Sequence, residues 1–264
     1  VDDPKLDVTI VLDRARTACR QRHGTDPCSF FHPEMAKQMQ LEYELNTMFE
    51  DSIKKRDFQI YLQPKVRLAD LTLSGAEALV RWIHPDKGMI CPSDFIPLFE
   101  ENGKICRLDL YVYETVCAYL HKRIEQQKDL FPISVNLSRA HFKDLNFLRK
   151  FSELKAKYGI PDGMIEFELT EYSFLDKQQE MVKNCIKQMH RLGFHCALDD
   201  FGVGYSALAL LKDFDVDTIK LDRQFFVDMT NPKAQTIISG FIEISEKLGI
   251  HLVAEGIETK EQME

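Results

Sequence analysis

The chain has 264 residues, of which 44% are hydrophobic and 29% are charged, a balance typical of a folded globular protein and not of a disordered one. Its net charge is −8 and its basic residues form no long cluster, which argues against a protein that binds duplex nucleic acid through phosphate contacts. No apolar run approaches the roughly 20 residues of a membrane-spanning helix, and no signal-peptide pattern is present. We therefore expect a soluble, cytoplasmic protein with no membrane segment in this chain.

Two helices are predicted ahead of any strand. The first starts at about Val8, where apolar residues recur at helical spacing, and the second follows Pro33. We interpret residues 1–32 as the end of a preceding domain and residues 33–57 as a connector helix. The apolar positions of the connector motivate the hypothesis that it forms a homodimer or relays an upstream signal, although packing on the following domain explains them equally well.

From residue 58 to residue 264, short apolar runs alternate with amphipathic segments, which is typical of βα units and a parallel sheet. Seven strands are predicted, in FQIYLQPKVRL, LTLSGAEALVRW, PISVNLS, IEFELTE, FHCALDDFG, VDTIKLD and HLVAEGIE. This pattern predicts a TIM-like (β/α)8 barrel whose last strand and helix are absent from this chain. An open, doubly wound sheet is the structural alternative, and the lack of a GxGxxG motif after any strand disfavours its nucleotide-binding version.

Polar side chains occur where the predicted strands end. They are Glu77, Asn136, Glu168, Asp199, Asp200, Lys220 and Glu255. Any one of them alone is explained as an exposed charge at a strand–loop junction, but in a βα barrel all of them meet at one face. Clustered carboxylates need counter-charge, and oxygen-only ligands favour Mg²⁺ or Mn²⁺. The adjacent aspartates can serve two ions, which predicts a two-metal site that acts on a phosphoryl group.

Six motifs follow one another along this domain. They are AEALVRW at 76–82, VNLS at 135–138, ELTE at 168–171, DDFGVGYSAL at 199–208, KLDRQF at 220–225 and AEGIET at 254–259. Together they resemble the EAL domain, the family of bacterial cyclic di-GMP phosphodiesterases. The resemblance implies an EAL-type barrel over 58–264, hydrolysis of cyclic di-GMP to linear 5′-pGpG, and two divalent cations, Mg²⁺ or Mn²⁺, as cofactors.

The segment VLDRARTACRQRHG, followed by FFHPEM, is similar to the end of a GGDEF domain, which is a diguanylate cyclase-like domain. This second resemblance implies a GGDEF–EAL tandem protein in the bacterial cytoplasm, as part of a larger multidomain or membrane-tethered protein.

The EAL resemblance also implies a role for each matching residue. Ligands of the first metal correspond to Glu77, Asn136, Glu168 and Asp199, and those of the second metal to Asp199 and Asp200. Lys220 matches the lysine that orients, or helps to deprotonate, the attacking water, and Glu255 supports the water shell of the second metal. Glu171 matches the glutamate that anchors the loop carrying DDFG. Substrate contacts correspond to Gln63, Leu79, Arg81, Asp222 and Glu258.

Three positions depart from the family pattern: Tyr172 and Ala207 replace serines, and Val203 replaces a threonine. These positions bear on loop placement and not on metal ligation. They leave open an alternative of a different class, a catalytically weak EAL domain that senses cyclic di-GMP without cleaving it. A third hypothesis is a metal-dependent barrel that acts on other phosphodiesters. The presence of every expected metal ligand favours the enzyme.

Overall fold

The computed structural model describes residues 7–20, 28–144, 146–174, 179–202, 207–229 and 231–263. Two compact units make up the chain: Val1–Phe58 with Trp82–Glu101, and Gln59–Arg81 with Asn102–Glu264. Among the helices in these ranges, none combines the length and the apolarity needed to cross a membrane.

The strands and helices alternate after an all-helical start. The strands are β1 (Phe58–Val66), β2 (Leu73–His84), β3 (Gly88–Ile90), β4 (Ile133–Asn136), β5 (Ile165–Thr170), β6 (His195–Phe201), β7 (Thr218–Leu221) and β8 (His251–Ala254). The helices are α1 (Val8–Arg20), α2 (Pro33–Lys55), α3 (Pro92–Asn102), α4 (Ile105–Glu125), α5 (Phe147–Lys157), α6 (Gln179–Arg191), α7 (Ala207–Asp213), α8 (Pro232–Leu248) and α9 (Lys260–Met263). Short 3₁₀ helices cover Arg139–Lys143, Glu171–Ser173 and Arg223–Phe226. All seven predicted strands are present. The prediction missed β3, which at three residues is too short to show an alternating pattern.

The first unit is held together by a cluster of buried aromatic rings. Neighbouring rings lie with their centroids 4.6 to 5.9 Å apart. The cluster consists of Phe49, Phe58, Trp82, Phe95 and Phe99. Pro33 starts α2, because its fixed φ suits the first helical position, and α2 brings Phe49 into the cluster. Part of the apolar surface of α2 is therefore used inside its own unit.

The sheet has the strand order β1-β2-β4-β5-β6-β7-β8, with β3 paired to the end of β2. Neighbours from β2 to β8 along this path are parallel. The strand order follows the chain order, as in a βα barrel and unlike a doubly wound sheet, whose order reverses at a switch point. The predicted α/β, TIM-like fold is confirmed.

The register brings the carboxyl ends of these strands to one edge of the sheet. Asn136 lies beside Glu168, and Thr170 lies beside Asp199. Strands β4 to β7 are almost fully buried, because in a βα barrel the helices cover the outer face of the parallel strands and side chains fill the interior. A charged side chain on these strands therefore requires a partner inside the fold.

Candidate active site

A buried lysine forms the centre of the site. Lys220, in β7, is 2% exposed, and its Nζ contacts four carboxylates from separate segments of the chain. Nζ lies 2.7 Å from Glu168 Oε2, 2.8 Å from Asp199 Oδ1, 2.8 Å from Glu255 Oε1 and 3.1 Å from Glu77 Oε2. The structure thus brings together five residues that are up to 178 positions apart in the sequence.

A second lysine lies beside this group. Lys65 Nζ, from β1, is 3.0 Å from Glu168 Oε1, 3.2 Å from Glu166 Oε1 and 2.8 Å from Ser134 Oγ. Thr218 Oγ1 donates a hydrogen bond to the other oxygen of Glu166 at 2.5 Å. Both carboxylate oxygens of Glu168 therefore accept from an ammonium group, one from each lysine. The sequence analysis missed Lys65 and Glu166.

The two lysines and the carboxylates shift one another's pKa values. Although burial alone would lower the pKa of Lys220, the surrounding carboxylates, Glu168 first among them, raise it. Burial also opposes the pull of the lysines on Glu168, yet Lys220 and Lys65 together lower its pKa. At Glu77 and Glu255 burial dominates and raises the pKa of each carboxyl. The two lysines thus compensate the negative charge of Glu168 well, whereas the charges of Glu77 and Glu255 are compensated poorly.

The adjacent aspartates lie at an irregularity in β6. The pairing with β7 shifts register between Leu198 and Phe201, and Asp200 has a φ of 53°, which is unusual for a residue other than glycine. Burial, and then the charge of Asp199, raises the pKa of the Asp200 carboxyl. Carboxylate oxygens of Asp199, Asp200 and Glu255 all lie within 4.8 Å of one another. This grouping of hard oxygen donors suits Mg²⁺ or Mn²⁺.

Two further predicted residues lie next to this group. Asn136 Nδ2 donates a hydrogen bond to Glu77 Oε1 at 3.3 Å. Glu171 is buried and accepts a hydrogen bond from the Gly202 N–H at 3.3 Å, directly after the DDF sequence. Gly202 has a φ of 96°, and a side chain there would overlap the ring of Phe225. Glycine is therefore required at the point where Glu171 contacts this loop.

The residues expected to contact substrate lie on several elements. Gln63 on β1 and Glu258 after β8 are exposed, whereas Leu79 and Arg81 on β2 are half-buried. The Arg81 guanidinium donates to the carbonyl of the preceding residue at 2.9 Å. Asp222 caps the 3₁₀ helix 223–226, and its charge contributes to the raised pKa of Asp200. Their roles toward a ligand stay predictions.

The positions that depart from the family pattern are described in part. Tyr172 lies in the 3₁₀ helix 171–173, and Ala207 is the first residue of α7. Val203 lies outside the described residues, so the prediction about its effect on the loop stays open.

The family model described as the EAL domain matches residues 46–264. The cyclic di-GMP phosphodiesterase PA2567 of Pseudomonas aeruginosa is 33% identical over 231 residues, which cover 87% of this chain and 39% of that protein. The chain spans between 28% and 39% of the length of this protein and four other curated relatives.

Two solved structures have a fold similar to that of this chain. The PaMucR phosphodiesterase in complex with c-di-GMP is 27% identical with a TM-score of 0.76, over 83% of this chain and 89% of that chain. The EAL enzyme Bd1971, with cAMP and cyclic di-GMP bound, is 26% identical with a TM-score of 0.78, over 98% of this chain and 69% of that chain.

Proposed function

The chain belongs to the EAL domain family, and on this premise we propose that it is a metal-dependent phosphodiesterase that hydrolyses cyclic di-GMP to linear 5′-pGpG. The observation that carries the proposal is the group of four carboxylates around Lys220, next to the Asp199–Asp200 pair. The relatives that are named as cyclic di-GMP phosphodiesterases or bind this nucleotide support the choice of substrate.

The donor set fits two divalent cations, Mg²⁺ or Mn²⁺. The residues that would hold the first ion are Glu77, Asn136, Glu168 and Asp199, and those for the second are Asp199 and Asp200, with Glu255 beside them. All of these side chains offer oxygen ligands, which hard cations prefer. When bound, such ions supply an activated water at neutral pH and stabilise charge on the phosphoryl and leaving oxygens.

Lys220 acts on the water that attacks the phosphorus. Its Nζ lies within hydrogen-bond distance of four carboxylates, an arrangement in which an ammonium group donates hydrogen bonds. This supports a role in orienting the water over a role as the base. In the reaction, the water gives up one proton as its oxygen bonds to phosphorus, the bond from phosphorus to the 3′-oxygen breaks, and the departing oxygen takes up one proton. The Arg81 guanidinium suits a non-bridging phosphate oxygen, and Leu79 offers an apolar contact for the nucleotide.

The organisation of the longer protein is part of the same proposal. Residues 1–32 form the end of a GGDEF-like domain, 33–57 a connector helix and 58–264 the EAL domain of a cytoplasmic bacterial signalling protein. We further propose, from the apolar positions of its sequence, that α2 forms a homodimer, and Tyr43, which is 74% exposed on this helix, is the side chain chosen for the test. Sedimentation of wild type and Tyr43→Glu checks this, since a chain that is monomeric in both forms would contradict it.

The activity test is an incubation of purified protein with cyclic di-GMP and Mg²⁺ or Mn²⁺, resolved by chromatography. We expect linear pGpG, abolished by EDTA and by Glu77→Ala. Glu153→Ala is the matched control, because Glu153 is an exposed glutamate paired with Arg149 on α5. If cyclic di-GMP stayed uncleaved but bound tightly in calorimetry, this result would overturn the proposed phosphodiesterase activity. It would favour the alternative that the domain senses cyclic di-GMP. Hydrolysis of other phosphodiesters alone would favour the third hypothesis.

A further inference from the structure

Lys65 is a largely buried cation, and the reaction proposed above assigns it no role. Its side chain is 16% exposed, and its Nζ bridges Glu166 Oε1 at 3.2 Å and Glu168 Oε1 at 3.0 Å. A third contact, with Ser134 Oγ at 2.8 Å, holds the ammonium from the neighbouring strand β4. Three hydrogen-bond partners match the three donors of a lysine, so the position of the ammonium is fully determined.

Two carboxylates of one strand meet at this ammonium. Glu166 and Glu168 are two residues apart on β5, and alternate residues of a strand point to the same face. Their side chains are largely buried, so water does little to screen their mutual repulsion. Lys65 lies between them and attracts both. Thr218 donates to the far oxygen of Glu166, which fixes that carboxylate in turn.

The orientation of Glu168 depends on this bridge. One of its oxygens contacts Lys220 at 2.7 Å and the other contacts Lys65 at 3.0 Å. With only one of these contacts, the carboxylate is less constrained about its terminal torsion, which has a broad energy minimum, and the hydrogen bond to Ser134 is its main remaining restraint on that side. With both, the plane of the carboxylate is defined before any cation arrives.

From this geometry we propose that Lys65 is a positioning residue of the phosphodiesterase site, which orients the Glu168 carboxylate for metal binding and separates it from Glu166. The inference rests on the proposed function, because it takes Glu168 as a metal ligand. Groups that orient metal ligands typically change metal affinity or activity by about 10- to 100-fold when they are removed.

The test is a calorimetric titration of the full chain with Mn²⁺. Lys65→Met keeps the length of the side chain and removes the ammonium, and we expect it to weaken Mn²⁺ binding by about 10- to 100-fold. Lys65→Arg keeps a cation and should recover part of this loss. Arg67→Met is the matched control, because Arg67 is an exposed cation that pairs with Asp70 at 3.4 Å beyond the same strand. It should bind Mn²⁺ as wild type does.

A second variant separates positioning from a general loss of folding. In Lys65→Met combined with Glu166→Gln, the repulsion on Glu168 is removed together with the bridge. We expect the double variant to bind Mn²⁺ more tightly than Lys65→Met alone. Because removal of the Glu166 charge would also restore a fold that Lys65 merely stabilises, the comparison is made only between variants that keep the fold. Far-ultraviolet circular dichroism of each variant reports whether the fold is retained.

The outcomes are distinct. Wild-type affinity in Lys65→Met, or a double variant no better than the single one, would overturn the role of Lys65. Wild-type protein that binds no Mn²⁺ would overturn both this inference and the proposed function. Wild-type protein that binds Mn²⁺ but leaves cyclic di-GMP intact would overturn the proposed function only, and Lys65 would then be judged on the binding data.

Discussion

Replacing Asp109 by asparagine should make the protein less stable at neutral pH than at alkaline pH, relative to wild type. Asp109 on α4 is buried, and its Oδ2 lies 3.1 Å from His141 Nε2 and accepts a hydrogen bond from the Ser138 N–H at 3.0 Å. These contacts tie α4 to the segment that follows Asn136. Asparagine has the same shape but no charge, so the change removes the ion pair with little effect on packing.

The size of the effect follows from His141. Although burial lowers the pKa of this imidazole, the interactions with Asp109 first and with Cys106 second outweigh it and raise the pKa from 6.5 to about 9. Because the folded-state pKa is the higher one, the stabilisation is fully present below about pH 6.5 and is lost as the pH rises through 9. At 1.36 kcal/mol per pH unit, the full contribution is roughly 3 kcal/mol.

Urea unfolding at constant ionic strength, between pH 6 and pH 10, measures this difference. The gap in unfolding free energy between wild type and Asp109→Asn should be at most roughly 3 kcal/mol at pH 6, since Cys106 supplies part of the shift, and should shrink toward zero by pH 10. Glu125→Gln is the control, because it breaks an exposed carboxylate–histidine pair on the same helix, with His121, and should change stability little. A gap of constant size across this range would refute the reasoning.

Three other changes test the site and the first unit. Lys220→Met should lower kcat for pGpG formation by about 10²- to 10⁴-fold, measured at saturating Mn²⁺, because it removes the donor that orients the water; a loss below tenfold would contradict that role. Glu171→Gln, which weakens the contact with the Gly202 N–H, should cost about 10- to 100-fold in activity, and unchanged kinetics would show that this loop needs no such anchor. Phe49→Ala should lower the unfolding free energy by about 3–5 kcal/mol in urea titrations, since its ring is fully buried among four others; a change under about 1 kcal/mol would mean that the cluster closes over the gap.

The residues that surround Lys220 could be predicted from the sequence because of their positions in the predicted strands. Glu168, Asp199 and Glu255 lie at or near the ends of their strands, and parallel strands bring their carboxyl ends to one edge. Glu77, also predicted at a strand end, lies instead inside β2, whose pairing with β4 places it beside Ser134. Glu77, Glu168, Asp199 and Glu255 were therefore expected to meet. The same argument works for the order of the strands, since βα units of similar length place sequential strands side by side.

Other features depend on contacts that no local pattern encodes. Lys65 and Glu166 lie two residues away from the predicted Gln63 and Glu168, on the same faces of their strands, and this spacing was the available signal. The helix α3 contains an internal proline, Pro97, and because proline disfavours a helix interior, the sequence does not predict this helix. Phe49 packs against Phe99, which lies 50 residues further along the chain, and the periodicity of α2 alone gives no partner for Phe49.

The distribution of charge explains why this site favours cations. Six carboxylates contact the two lysines or group with Asp199: Glu77, Glu166, Glu168, Asp199, Asp200 and Glu255. Two ammonium groups leave an excess of four negative charges among these eight residues, which is the charge of the two divalent cations proposed. The pKa is lowered at Glu168, which faces both lysines, and raised at Asp200 and Glu255. Because the pKa of Glu77 is raised as well, uncompensated charge lies on both sides of Glu168, and electrostatic attraction draws incoming cations to the whole carboxylate group.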